Sequence, residues 1–352
     1  MIFNPSRLAI ARKRRMLTKK AFAEAIGVTQ HTVTRWDRGS TDAPTAENLR
    51  AISQALGFPE KFFFGSDVDS PERASFRSQT SMTAAARDAA LAAGSVAYLI
   101  ADWFDARFSF PVVSVPDLSD YPEAEEAARV LREHWGLGER PISNMVHLLE
   151  SKGVRVFSLA ENTTKVDAYS LWRNGRPHVF LNGLKTAERS RFDAAHELGH
   201  LVLHQDGHEE GREAEDQANR FASAFLMPRA DLLAHCSAGL GLPDIIRLKI
   251  RWRVSAAALA YRLHKMAMLS DWKYRDICID LNRSYRRSEP NPIERESSAI
   301  WERTLRMMWS EKVTPTRIAA DIGIPETELR DLIFPVAPRR VSSQDSVSIR
   351  SV

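Results

Sequence analysis

Residues 189–204 read Arg-Ser-Arg-Phe-Asp-Ala-Ala-His-Glu-Leu-Gly-His-Leu-Val-Leu-His, which sets His196, Glu197 and His200 as His-Glu-x-x-His inside one amphipathic helical pattern. At 3.6 residues per turn, two histidines four apart project from the same face. Their imidazoles can grip one cation, and the glutamate beside the first can reach a water that the cation activates. The flanking positions Phe192, Ala194, Ala195, Leu198, Val202 and Leu203 are apolar, and histidines on a buried face need polar partners. The pattern demands a helix packed in a core, with a third ligand supplied from elsewhere in the chain.

Residues 213–228 offer that ligand. Ala218, Phe221, Ala222 and Phe225 form an apolar stripe ended by Pro228, and Glu215 lies one turn before Ala218 and Asn219 on the same inward face. Glu213 falls with Gln217 and Arg220 on the outer side, where a first-turn carboxylate favours the helix dipole. His204 lies two turns beyond His196, roughly 12 Å along a straight helix, too far to share the ion, and reads as a helix-end cation. The longer pattern with a third histidine is excluded, because Leu203 and Asp206 stand where it needs glycine and histidine. Two imidazoles and a carboxylate suit Zn2+ and also accept Mn2+ or Co2+. Tyr169, His204 and His208 are open choices for an oxyanion donor.

The N-terminus carries a second constellation. A helix begins at Arg7, a second runs from Thr18 to Ile26, Gly27 supplies a turn, and a third runs from Thr29 to Asp37, followed by a helical pattern over 45–57. Thr18 and Thr29 are placed to cap their helices. Two short helices across a glycine turn make a helix-turn-helix, in which Gln30, His31, Thr32 and Arg35 at the start of the third helix face the DNA groove. Through Gly65, eleven lysines and arginines stand against five acids, a net charge of +6 in a chain of +4 overall. The cations from Arg12 to Lys20, Lys19 and Lys20 among them, are the expected phosphate contacts.

Two resemblances follow from these motifs. Residues 5–65 resemble the Cro and lambda-repressor type domain, also called XRE. The block from Phe76 to Pro228 resembles the ImmA/IrrE metallopeptidases, on the metal helix together with Arg132-Glu-His-Trp-Gly-Leu-Gly, Pro141-Ile-Ser-Asn, Gly153-Val-Arg-Val-Phe, Val166-Asp-Ala-Tyr-Ser and Glu215 to Pro228. What the resemblance implies is a zinc-dependent endopeptidase that cuts a transcriptional repressor, with His196, His200 and Glu215 as ligands and Glu197 as general base.

The expected fold is mainly α with a small antiparallel β-sheet: a helical DNA-binding head over 1–65, a linker and connecting helix over 66–122, a zincin-like metallopeptidase domain over 123–230, a helical region over 231–336, and a disordered tail over 337–352. Short β-rich runs at 154–159, 168–172 and 178–181, with Asn174-Gly175 as a hairpin turn, would leave a sheet edge to which a peptide could add. Residues 242–268 fit a helix-turn-helix-like pair and a simple helical bundle equally well, and a similar pair is expected over 315–333 with Gly323 at the turn. No internal repeat stands out. Cys236 and Cys278 lack paired spacing and read as packing residues of a cytoplasmic protein. The longest apolar run, Ala89 to Ala101, falls short of the roughly 20 residues that span a bilayer.

The partners that follow are double-stranded operator DNA, a protein substrate that is itself a helix-turn-helix repressor, and a second copy in a homodimer, with no membrane. Two other readings stay open: a transcription factor whose peptidase-like domain senses a metal or small molecule without cutting, and an interaction module of an antitoxin or phage-repressor pair.

Overall fold

Four helices build the N-terminal head: α1 (Pro5–Arg14), α2 (Lys19–Ala25), α3 (Gln30–Asp37) and α4 (Ala46–Leu56). Thr18, Thr29 and Thr45 each cap the following helix by accepting from the backbone N–H three residues on. Gly27 takes φ +70° at the turn between α2 and α3, a conformation that glycine adopts without a Cβ clash. Leu8, Phe22, Ala23, Val33, Trp36, Ile52 and Leu56 close the core between the helices. The computed structural model describes residues 2–39, 43–69, 75–76, 83–159, 168–205, 211–237, 239–286 and 288–333, so the expected tail over 337–352 and, within the expected linker, residues 70–74 and 77–82 lie outside the described residues.

Beyond the head come β1 (Ser75–Phe76), α5 (Ala84–Asp105), α6 (Ala124–His134), α7 (Met145–Ser151), β2 (Arg155–Leu159), β3 (Tyr169–Arg173) and β4 (Arg176–Asn182). The helix α5 is longer than the apolar run inside it. Its 22 residues have the length and composition to cross a membrane, but 61% of its apolar window is buried inside the protein, against α1, β2 and the C-terminal helices.

The sheet order is β1-β3-β4-β2. Asn174 and Gly175 join β3 to β4 with φ of +51° and +72°, as a two-residue turn matched to strand twist requires. The sheet is mixed rather than wholly antiparallel, because β2 pairs with β4 in parallel, from Arg155↔His178 to Leu159↔Asn182. Residues 177–182 of β4 are all buried, and a strand with no solvated face belongs in the middle, bonded on both sides. The outer edge of β3 pairs with β1 over two residues, Ser75 opposite Ser170 and Phe76 opposite Tyr169, so the chain's own segment covers that part of the edge, and β2 stands at the other edge of the sheet.

Alternation along the strands sends the two faces into two cores. Phe157, Tyr169, Leu171 and Phe180 face α5 and the head. Val156, Val179 and Leu181 point to α8 (Ala187–Leu203) and join the core that continues through α9 (Arg212–Leu226), α10 (Arg229–His235), α11 (Leu242–Trp252), α12 (Ala256–Lys265) and α13 (Asp271–Tyr285). The pair α11–α12 buries Ile245, Trp252, Leu259 and Leu263 in this second core, as a helical bundle does.

The last helices, α14 (Ala299–Ser310), α15 (Pro315–Ile322) and α16 (Glu326–Ile333), return to the first core through Trp301, Ile318, Leu329 and Leu332. Glu150, buried on α7, accepts from Ser298 and from the N–H groups of Ala299 and Ile300 at the start of α14. Glu328 of α16 accepts from Arg14 Nε at 3.0 Å and from Arg15 Nη1 at 2.7 Å, joining the C-terminal helices to the head.

Candidate metal centre and DNA-reading helix

Helix α8 starts at a Thr186 cap, which accepts from the N–H of Arg189, and carries His196, Glu197 and His200 at positions all buried. Helix α9 crosses it closely because residue 199 is glycine: a Cβ there would meet Phe221 Cδ1 at 3.1 Å and Ala218 Cα at 3.2 Å. That approach delivers Glu215. Its carboxylate oxygens lie 3.4 Å from His196 Nε2 and 3.5 Å from His200 Nε2, and the two Nε2 atoms are 3.1 Å apart.

A tetrahedral ion with bonds of about 2.0–2.1 Å separates its ligand atoms by about 3.4 Å, so these three separations are close to the edges of such a site. Glu215 Oε2 is buried and makes no hydrogen bond within the protein, a donor atom that a cation would satisfy. Burial opposes ionisation of Glu215, but His196 and His200, when protonated, approach closely enough to outweigh it and hold the carboxyl well below its usual range. Glu213 is exposed and pairs with Arg220 at 3.4 Å.

The orientation of His200 is set from behind. Its Nδ1 lies 3.0 Å from His204 Nδ1, and His204 Nε2 lies 2.9 Å from Gln217 Oε1. An amide oxygen only accepts, so His204 Nε2 donates, and neutral His204 then accepts at Nδ1 from the Nδ1–H of His200. The lone pair of His200 Nε2 is thereby left facing His196 and Glu215, the tautomer a ligand needs.

Glu197 is held from the sheet: Ser170 Oγ on β3 donates to its Oε2 at 2.7 Å. The neighbouring Tyr169 points to the opposite face of the sheet, stacks on Phe180 and donates its hydroxyl to Ala90 O at 2.8 Å. It cannot serve as an oxyanion donor. Nor is the buried His178 part of this cluster; burial lowers it to about 3 and it packs against Tyr98 and Phe157. His208 lies outside the described residues.

On the head, Val33 and Trp36 of α3 turn inward, while Gln30, His31 and Arg35 are exposed and Thr32 is half-buried. Lys20 is exposed; Lys19 pairs with Asp37 at 3.0 Å. The run Arg12–Arg15 is not a free phosphate stripe. Arg12 donates to Leu17 O and Asp37, Lys13 faces Asp88, and Arg14 and Arg15 hold Glu328, so the head's available cations sit nearer α2 and α3 than sequence alone places them.

Residues 8–63 match a family profile described as helix-turn-helix, and residues 149–264 match one described as the IrrE N-terminal-like domain. The chain joins a helix-turn-helix domain to a peptidase-like domain. No curated protein matches it.

The IrrE N-terminal-like domain, as matched, runs past Pro228 through α11 and most of α12, and it contains every member of the cluster. Sequence reasoning missed Ser170 and gave two others different places, His204 as a helix-end cation or oxyanion donor and Gln217 on the outer side of its helix. Ser170 lies in a stretch that carried the resemblance, but nothing local marks it as the partner of Glu197. His204 and Gln217 stand at helical spacings from His200 and Glu215, a signal that a search for tautomer-fixing partners can use. The helix-turn-helix domain supports binding of double-stranded DNA, and the two domains together make a DNA-binding regulator with a peptidase-like domain.

Proposed function

We propose that this regulator is a zinc-dependent endopeptidase whose substrate is a helix-turn-helix repressor protein, with His196, His200 and Glu215 as ligands and Glu197 as general base. The observation that carries the reading is the position of Glu197: it is the residue next to His196, it is buried, and its carboxylate accepts from Ser170, while His196, His200 and Glu215 converge their donor atoms. A metal-binding sensor has no chemical use for a carboxylate held there.

A divalent cation on the three donors supplies Lewis acidity to the scissile carbonyl and to the attacking water. Glu197 takes the proton of that water as the C–O bond forms and returns it to the departing amine as the C–N bond breaks. Ser170 keeps the carboxylate oriented for both transfers. Gln30, His31, Thr32 and Arg35 read base edges, and Lys19 and Lys20 lie beside phosphates. The setting is cytoplasmic, where DNA and repressor are both present.

The test incubates the purified, tag-free protein with zinc and with the repressors encoded beside it, and reads the products by intact-mass spectrometry. One or a few discrete cuts are expected. Intact repressors at every zinc, manganese and cobalt level tested would overturn the peptidase reading.

A further inference from the structure

Residues 18–36 of the head and residues 314–332 at the other end of the described chain align without a gap. Thr18 and Thr314 both cap, accepting from the backbone N–H of Ala21 and Arg317. Phe22 and Ala23 correspond to Ile318 and Ala319, and Val33 and Trp36 to Leu329 and Leu332, all buried. Gly27 and Gly323 stand at the same place with φ of +70° and +86°, and the second helix has eight residues in both pairs. A cap, a two-residue core step, a left-handed glycine and a matched inner face at identical spacing make this an internal repeat: the sequence marks residues 315–333 as a helix-turn-helix-like pair, and the structure adds its correspondence with the head.

The positions that correspond to the base-facing set are, Thr327 aside, acidic where the head is neutral or basic. Gln30, His31, Thr32 and Arg35 of α3 correspond to Glu326, Thr327, Glu328 and Asp331 of α16. A second helix with Glu326 and Asp331 at these positions repels phosphate, and its third carboxylate, Glu328, is turned into the protein. Its partner is instead basic protein: Glu328, 2% exposed, accepts from both Arg14 and Arg15 of the head, and Lys61 of the head donates to Ala320 O while packing on Gly323. On the other side α16 lies against β2 and α5.

We propose that α15–α16 is a second helix-turn-helix motif, converted from reading DNA to gripping the chain's own DNA-binding head and fixing it on the peptidase-like sheet. The head is then part of one body with the metal centre, and α3, whose Gln30, His31 and Arg35 remain exposed, is presented in a set direction. The proposal takes the head as the DNA reader and assigns the C-terminal pair the opposite role.

Two measurements on the full-length chain test it. Amide hydrogen exchange of Glu328→Gln should show at least tenfold faster exchange in α1 and α16 than the parent, with α8 and α9 unchanged; protection in α1 and α16 within twofold of the parent overturns the grip. Thr327→Ala and Arg330→Ala alter only exposed positions of α16 and keep the fold, and specific DNA affinity should stay within twofold. A loss of tenfold or more makes α16 a DNA reader and overturns the conversion. If the parent shows no specific DNA binding, the reading of the head has failed, and the exchange experiment still decides the grip.

Discussion

Ser170 Oγ donates to Glu197 Oε2 at 2.7 Å, from the strand β3 to the metal-site helix α8. A base aimed by a buried hydrogen bond loses rate when that support is removed. Ser170→Ala should lower kcat for repressor cleavage by about tenfold or more with zinc content unchanged, and Ser170→Thr should recover part of it. Equal kcat in Ser170→Ala and the parent would sink the positioning role.

Replacing Glu197 by Gln keeps shape and hydrogen bonding but removes the base. Zinc content should persist, and cleavage should fall by about 10²–10⁴. Metal analysis beside intact-mass kinetics reads both, and a mutant that cuts at the parental rate refutes the assignment.

Glu215 and Glu213 make opposite predictions. Glu215→Ala leaves a two-histidine site and should purify with little metal and no activity, whereas Glu213→Ala, on the exposed side with Arg220, should keep both. The reverse result would move the third ligand.

The chain from His200 through His204 to Gln217 should show in metal affinity. His204→Phe removes the acceptor that fixes the His200 tautomer, Gln217→Leu removes the acceptor that fixes His204, and each should weaken zinc binding by about 10–100-fold. Competition with a chelating dye measures this without reference to activity.

DNA binding should separate the head's cations into two groups. Arg35→Ala should cost about 1–3 kcal/mol of specific binding, and Lys20→Ala should reduce the slope of log affinity against log salt by about one. Arg14→Met should leave that slope unchanged and lower Tm, because Arg14 is buried on Glu328 and Ala89 O. A gel-shift salt series and a thermal melt distinguish the groups.

Acid should loosen the bundle at Asp231. The Arg251 guanidinium, against the cost of burial and with the Trp252 N–H assisting, holds this carboxyl below the usual aspartate range. A carboxyl depressed in the folded chain stabilises above its unfolded pKa, and that contribution is lost as pH falls through the folded one. Tm should therefore drop as pH is lowered through and below the ordinary aspartate range, and Asp231→Asn should flatten that limb.

The sequence by itself determined everything that depends on local spacing. His196, Glu197 and His200 share a helix face by periodicity, Thr18 and Thr29 cap, Gly27 turns, Asn174-Gly175 makes a hairpin, and Glu215 is inward while Glu213 is outward; each is settled within one or two turns of chain. The tertiary structure alone decided what rests on separation in sequence. Parallel pairing of β2 with β4, the arrival of β1 on the edge of β3, Ser170 beneath Glu197 and Glu328 between Arg14 and Arg15 all join residues with no local relation, and periodicity carries no information about which distant surface a face will meet. The same limit explains the basic run Arg12–Arg15: its charges are legible in the sequence, but that they are spent on carboxylates of the protein and not on phosphates follows only from where Asp37, Asp88 and Glu328 end up in the fold.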